Sequence, residues 1–165
     1  MTRVRENGAD VAHPLMADGT KEFVTFTIAE QLFGIPVLRI QDVLSSYQIT
    51  RIPLAPPEIM GSLNLRGRVV TAIDMRARLG LPERPEGTGS MSIVAEHEGE
   101  LYSLVVDTVG EVLALSAATS DRNPPTLDPK FRAVSDGIYR LDDQLLVVLD
   151  VNRLLDYGRQ SNGLN

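Results

Sequence analysis

Two stretches of this chain, Gly61 to Asp74 and Gly137 to Asp150, repeat one apolar frame at a shift of 76 residues, and this repeat constrains the fold more than any other feature. Gly61 falls on Gly137, Leu65 on Leu141, Val69 and Val70 on Leu145 and Leu146, Ile73 and Asp74 on Leu149 and Asp150, and Leu79 on Leu155. A second match, at a shift of 69, carries Phe33 to Leu44 onto Tyr102 to Leu113, with Asp42 meeting Glu111. One gap in a connecting loop reconciles the two shifts and leaves two tandem halves. A period of this length is too long for a solenoid unit and suits a duplicated subdomain. In a chain of 165 residues each half is close to the size at which an isolated core is marginal, so the halves are expected to pack together.

Short alternating runs rich in β-branched residues, broken by Gly, Pro and Asp, dominate between the chain ends. Val24, Phe26 and Ile28 share one face of a predicted strand. Glu98-Gly99 and Asp142-Asp143 are read as hairpin turns, the first joining Ile93–Ala95 to Leu101–Val106, the second joining Ile138–Leu141 to Leu145–Leu149. Helices are expected to be few and short: Asp74 caps Met75 to Leu79, Asp150 caps Val151 to Leu155, and Pro57 opens a further turn over Glu58 to Met60. The pattern predicts an all-β fold of small barrels or a sandwich. Polar, aperiodic residues 1–21 are read as a flexible arm and 158–165 as a tail.

Composition excludes several functions. The formal charge of −6 opposes binding to a phosphate backbone, so no nucleic-acid partner is expected. With no cysteine there is no disulfide framework, thiol nucleophile or zinc knuckle, which fits a reducing compartment. No apolar run approaches the ~20 residues of a membrane-spanning helix, and the start of the chain has no apolar signal core, so the protein is read as cytoplasmic without membrane insertion. Asp74 and Asp150 invite comparison with a two-carboxylate active site, but helix capping accounts for both. His13 lies in the arm, and Glu96-His97-Glu98 is read as a solvated hairpin tip. No metal-ligand set, nucleophile triad or phosphate-cradling loop is present, and neither catalytic residues nor cofactors are expected.

What fails to repeat is more informative. Asn64, Arg66 and Gly67 have Arg140, Asp142 and Asp143 in their places, so this polar group is not required by the common frame and is a candidate for function. Arg66 lies in an otherwise apolar strand-turn-strand and must reach solvent or a carboxylate, because an unpaired buried charge is severely unfavourable. Asp42 is the partner expected. An exposed pair adds only about 0–1 kcal/mol, so shaping a recognition surface explains it better than stability does.

The ordered series Phe23 to Phe26, Phe33 to Ile35, Ile40 to Val43, Ile49-Thr-Arg-Ile-Pro53, Gly61-Ser-Leu-Asn-Leu-Arg-Gly67, Val70 to Arg76, Val105 to Asp107 and Val109 to Val112 resembles the CheW family of chemotaxis coupling proteins. The resemblance implies two SH3-like five-stranded β-barrel subdomains with a few short helices. It places a CheW-like domain at 22–157, with approximate halves 22–88 and 89–157 and room for strand exchange at their ends. It also implies a non-catalytic adaptor joining chemoreceptor cytoplasmic tips to the regulatory domain of the histidine kinase CheA, with no obligate homo-oligomer.

By the same resemblance, Asp42 and Arg66 form a pair beside a receptor groove between subdomains. Val37, Ile40, Gly61 and Gly67 match the groove lining, and Val105 and Val106 contribute from the second half. Two departures stand out: Asp42 is one methylene shorter than the glutamate often found there, and Ser103 replaces a glycine, which puts close backbone approach at that point in question. The alternatives are a scaffold of the same architecture in another chemosensory pathway, serving a pilus or development, and a generic barrel module that binds peptides or small ligands.

Overall fold

A computed structural model describes residues 19–156, which form eleven strands and a few short helical segments. The strands are β1 (Thr20–Ile28), β2 (Gln31–Pro36), β3 (Ile40–Leu44), β4 (Ile59–Leu65), β5 (Arg68–Asp74), β6 (Met91–His97), β7 (Glu100–Val106), β8 (Thr108–Ser116), β9 (Ser120–Asp121), β10 (Ser135–Arg140) and β11 (Leu145–Leu149). Helix α1 is Met75–Arg78, α2 is Pro129–Arg132, and α3 covers residues 151–156. The expected arm lies outside the described residues up to position 18, but Thr20 and Lys21 already belong to β1, because Lys21 continues the strand that Phe23 anchors in the core. The expected tail at 158–165 also lies outside the described residues.

The all-β expectation is borne out, and the duplication is written into the strand order. One sheet runs β3-β6-β7-β5-β4 and the other β8-β1-β2-β11-β10-β9. Moving by 69 or 76 residues carries β1 onto β6, β2 onto β7, β3 onto β8, β4 onto β10 and β5 onto β11, so the two orders coincide except for the two-residue β9. Even the register repeats. Thr71 and Ala72 of β5 pair in parallel with Tyr102 and Ser103 of β7, while their equivalents Val147 and Val148 of β11 pair with Phe33 and Gly34 of β2.

Each sheet therefore takes its inner hairpin from the opposite half of the sequence. β6–β7 sits among β3, β4 and β5, and β1–β2 sits among β8, β10 and β11. The two compact units follow this packing: one comprises Phe26–Glu30 and Ile40–Val109, the other the residues through Thr25, Gln31–Arg39 and those from Gly110 onward. A cut between 88 and 89 separates copies of sequence, whereas each packing unit draws residues from both copies.

Within the β3–β7 unit, β3 alternates half-buried and exposed residues as an edge strand should, and β6 buries Ser92 through Ala95 without interruption as an inner strand should. Leu63, Val70, Ala72, Val94, Leu101 and Val105 form its core cluster, each fully buried Val or Leu contributing about 1.5–3 kcal/mol. In the other unit the cluster is Phe23, Tyr139, Leu146 and Val148, three of which occupy the places of Leu63, Val70 and Ala72. The larger side chains at 139 and 148 are matched by a tilted Phe23–Tyr139 ring contact at 5.4 Å.

Both expected hairpins are present, Glu98-Gly99 joining β6 to β7 and residues 141–144 joining β10 to β11. Asp74 accepts from the N–H groups of Arg76 and Ala77, and Asp150 from those of Asn152 and Arg153, so both carboxylates are helix caps as expected. The turn expected at Pro57 is a single reverse turn closed by the Ile59 N–H to Pro56 carbonyl bond. Ile59 and Met60 then enter β4 instead of a helix, held by Ile59 opposite Ile73.

Candidate functional site

The hairpin β4–β5 turns through Arg66 and Gly67 alone, with Leu65 opposite Arg68 and Asn64 opposite Val69. Both turn residues have positive φ, +51° at Arg66 and +86° at Gly67, the form that matches the twist of a two-residue hairpin. Asn-Gly is the preferred pair for such a turn, and a long side chain at its first position costs about 1–2 kcal/mol. Asn64 Oδ1 accepts the Gly67 N–H at 3.0 Å, a bond worth about 1 kcal/mol that offsets much of that cost.

Asp42 approaches from β3. A register shift between Ile40 and Asp42 against β6 leaves Gln41 as an extra residue, and such a bulge re-aims the side chains beside it. Asp42 Oδ1 accepts the N–H of Val43 at 2.8 Å, and Oδ2 lies 3.0 Å from Arg66 Nη2. The sequence expectation of an Asp42–Arg66 pair is thus met. β3 and β4 stand at opposite ends of the five-strand order, so the pair links the two ends of that sheet through side chains.

Energetics separate this pair from ordinary structural support. Arg66 is 74% exposed and Asp42 24%, which places the attraction at about 0–1 kcal/mol. The left-handed backbone at Arg66 costs at least as much. Fold stability alone therefore gives no reason for arginine here, whereas a cation displayed at a fixed position on a hairpin tip does. Val69, 72% exposed beside the tip, adds an apolar face to it.

The remaining expected site residues divide. Ile40 is half-buried on β3 in the same unit, and Val37 belongs to a 3-10 turn of the other unit. Gly61 is buried at φ +148°, and a Cβ there would lie 2.1 Å from the Thr50 carbonyl oxygen, so the fold itself requires this glycine. Its equivalent Gly137 shares the positive φ and the same kind of close approach, to the Asp121 carbonyl. Val105 packs in the core cluster and Val106 is equally buried, so neither offers surface in this structure. Ser103 is accommodated where its equivalent Gly34 has almost no room for a Cβ: the buried hydroxyls of Ser103 and Ser92 hydrogen-bond to each other.

His97 corrects the sequence reading. It is 4% exposed, not a solvated tip, because the turn consists of Glu98 and Gly99 only and His97 is still the last residue of β6. Its imidazole lies 6.4 Å from the Tyr102 ring.

Sequence reasoning gave no role to Arg76 and Asp107, which form the most enclosed ion pair described within this unit. Nε and Nη2 of Arg76 donate to the two carboxylate oxygens at 3.1 and 2.7 Å, Nη1 donates to the Pro82 carbonyl, and the Ala29 N–H donates to Asp107. Burial alone would push the Asp107 carboxyl up, but the hydrogen bonds from Arg76 and Ala29 and the guanidinium charge together hold it below its ordinary value. The hydrogen bond to Asp107 raises Arg76 against its own desolvation. The repeat held a signal for this pair: the equivalent positions are Asn152 and Leu38, so this charge couple, like Arg66, is absent from the other copy.

Comparison with known proteins agrees with this architecture. The CheW-like domain family matches residues 22–159. The chain is 30% identical to the chemotaxis protein CheW of Klebsiella aerogenes over 82% of its own length and 81% of that protein, and 27% identical to CheW of Helicobacter pylori, covering 81% of each. It also resembles the crystal structure of the scaffolding protein TtCheW from Thermoanaerobacter tengcongensis, with a TM-score of 0.71 and 32% identity over 79% of this chain and 88% of that one. A strand order duplicated with its register, a family match spanning nearly all the described residues and a solved relative of the same fold lead to one assignment: the chain belongs to the CheW-like domain family.

Proposed function

We propose that this protein is a non-catalytic adaptor in chemotaxis signal transduction, coupling chemoreceptor cytoplasmic tips to the regulatory domain of the histidine kinase CheA. One observation carries the reading at the level of residues: the Asp42–Arg66 pair displays a cation on a hairpin whose backbone cost its own energy does not repay. Family membership supplies the context, since the relatives from Klebsiella aerogenes and Helicobacter pylori are chemotaxis CheW proteins and the solved relative is a scaffolding protein.

Within the β3–β7 unit the receptor-binding set is Asp42 and Ile40 of β3 with Arg66 and Gly67 of the β4–β5 turn, Asn64 bonding that turn and Gly61 fixing β4. Apolar contact supplies affinity, and the charge pair fixes register and selects the partner. The setting is the cytoplasm; among the described residues no helix is long and apolar enough to cross a membrane.

Co-sedimentation with receptor arrays and kinase tests the proposal. A ternary complex that needs all three components is the expected result. Retention of a small ligand or a generic peptide with no kinase contact would overturn it.

A further inference from the structure

In a two-residue hairpin the strand ladder ends at the flanking pair, here Leu65 and Arg68, and the N–H groups of the turn itself are left to water or to a side chain. Asn64 captures one of them, accepting the Gly67 N–H at 3.0 Å. Asparagine is a poor strand former, and Asn64 is exposed, so neither β-propensity nor core packing explains it there. The other copy provides an internal control. At the place of Asn64 it has Arg140, which pairs with Asp121 at 3.3 Å, and its loop closes between Leu141 and Gln144 with positive φ at none of Leu141, Asp142, Asp143 or Gln144. Asn64 and the left-handed form of this turn occur together in one copy and are both missing from the equivalent loop of the other, although the β6–β7 turn takes the same form, φ +53° at Glu98 and +85° at Gly99, with Glu96 two residues before it.

We propose that Asn64 is a positioning residue: by accepting the Gly67 N–H it holds the Arg66–Gly67 turn in the left-handed form that brings the guanidinium to Asp42. Its effect on recognition runs through Arg66 and not through contact with a partner, a statement that rests on the adaptor reading.

The test uses the full chain carrying Asn64→Ala or Asn64→Asp, the second keeping an acceptor oxygen. Amide hydrogen exchange at Gly67, followed by NMR, is expected to be at least about tenfold faster in Asn64→Ala and close to the parent in Asn64→Asp. Receptor-dependent kinase activation is expected to fall several-fold in Asn64→Ala, and to fall no further when Asn64→Ala is added to Arg66→Ala. Unchanged Gly67 exchange in Asn64→Ala, no protection in Asn64→Asp, or an additional loss in the Arg66→Ala background would each overturn the proposal. Should Arg66→Ala itself leave activation intact, the adaptor site is wrong, and the exchange measurements still decide whether Asn64 holds the turn.

Discussion

Arg66 meets Asp42 at 3.0 Å from a backbone conformation that arginine disfavours, φ +51° in a turn where asparagine or glycine is the ordinary occupant. The exposed ion pair, about 0–1 kcal/mol, does not outweigh a left-handed backbone of about 1–2 kcal/mol, so the arrangement adds nothing to folding stability. What it provides is a guanidinium fixed in place rather than free on a flexible surface.

Replacing Arg66 by Asn gives the turn its preferred residue and removes the cation. We expect thermal and urea midpoints equal to or slightly above those of the parent, within about 1 kcal/mol, together with loss of coupling. A clear drop in stability would show that the pair supports the fold more than its exposure allows.

Direct pairing is tested by exchange of the charges. Asp42→Arg and Arg66→Asp are each expected to impair coupling, and the double variant is expected to recover part of it. A double-mutant cycle on stability is expected to give a coupling energy no greater than about 1 kcal/mol. Absence of any rescue would count against direct contact in solution.

Two glycines of the same hairpin separate fold from surface. Gly61→Ala drives a Cβ onto the Thr50 carbonyl and is expected to cost about 3 kcal/mol or more in chemical denaturation. Gly67→Ala meets nothing within 4 Å and is expected to cost only the left-handed backbone, about 1–2 kcal/mol. Equal losses would contradict the close approach at Gly61.

The Arg76–Asp107 pair predicts a pH dependence. The folded-state pKa of Asp107 is depressed below 3.8, so its contribution is fully present above that value and is lost as pH falls through the lower folded value. Asp107→Asn is expected to cost about 2 kcal/mol near neutrality, less than the ~3–5 of a fully buried pair. The gap between parent and variant in urea unfolding is expected to narrow below pH 3.8 and nowhere between pH 5 and 8. A gap that stayed constant down to acid pH would remove the carboxylate charge as its source.

Much of the site was legible because it breaks a repeat. Asn64, Arg66 and Gly67 stand out where the frame continues without them, and an arginine in apolar surroundings points to an acid such as Asp42. Asp74 and Asp150 announce themselves as caps by position, since each precedes a run that only a capped turn explains. The family resemblance leaves strand exchange at the ends of the halves open, but the exchange of inner hairpins was not legible in the periodicity. Periodicity says that Leu101 to Val106 is a strand, but not that it pairs with Thr71 to Asp74 rather than with a segment of its own half. His97 was misplaced for a related reason: one residue decides whether a polar side chain belongs to the turn or to the buried end of β6. Arg76 and Asp107 lie 31 positions apart with nothing local to join them, although asking what fails to repeat would have singled out both.

Receptor-dependent kinase activation, reconstituted with the parent and with Arg66→Ala at equal folded concentration, tests the central claim most directly. The account predicts that the variant still folds and still binds kinase but loses most of the activation. Activation equal to that of the parent would contradict it.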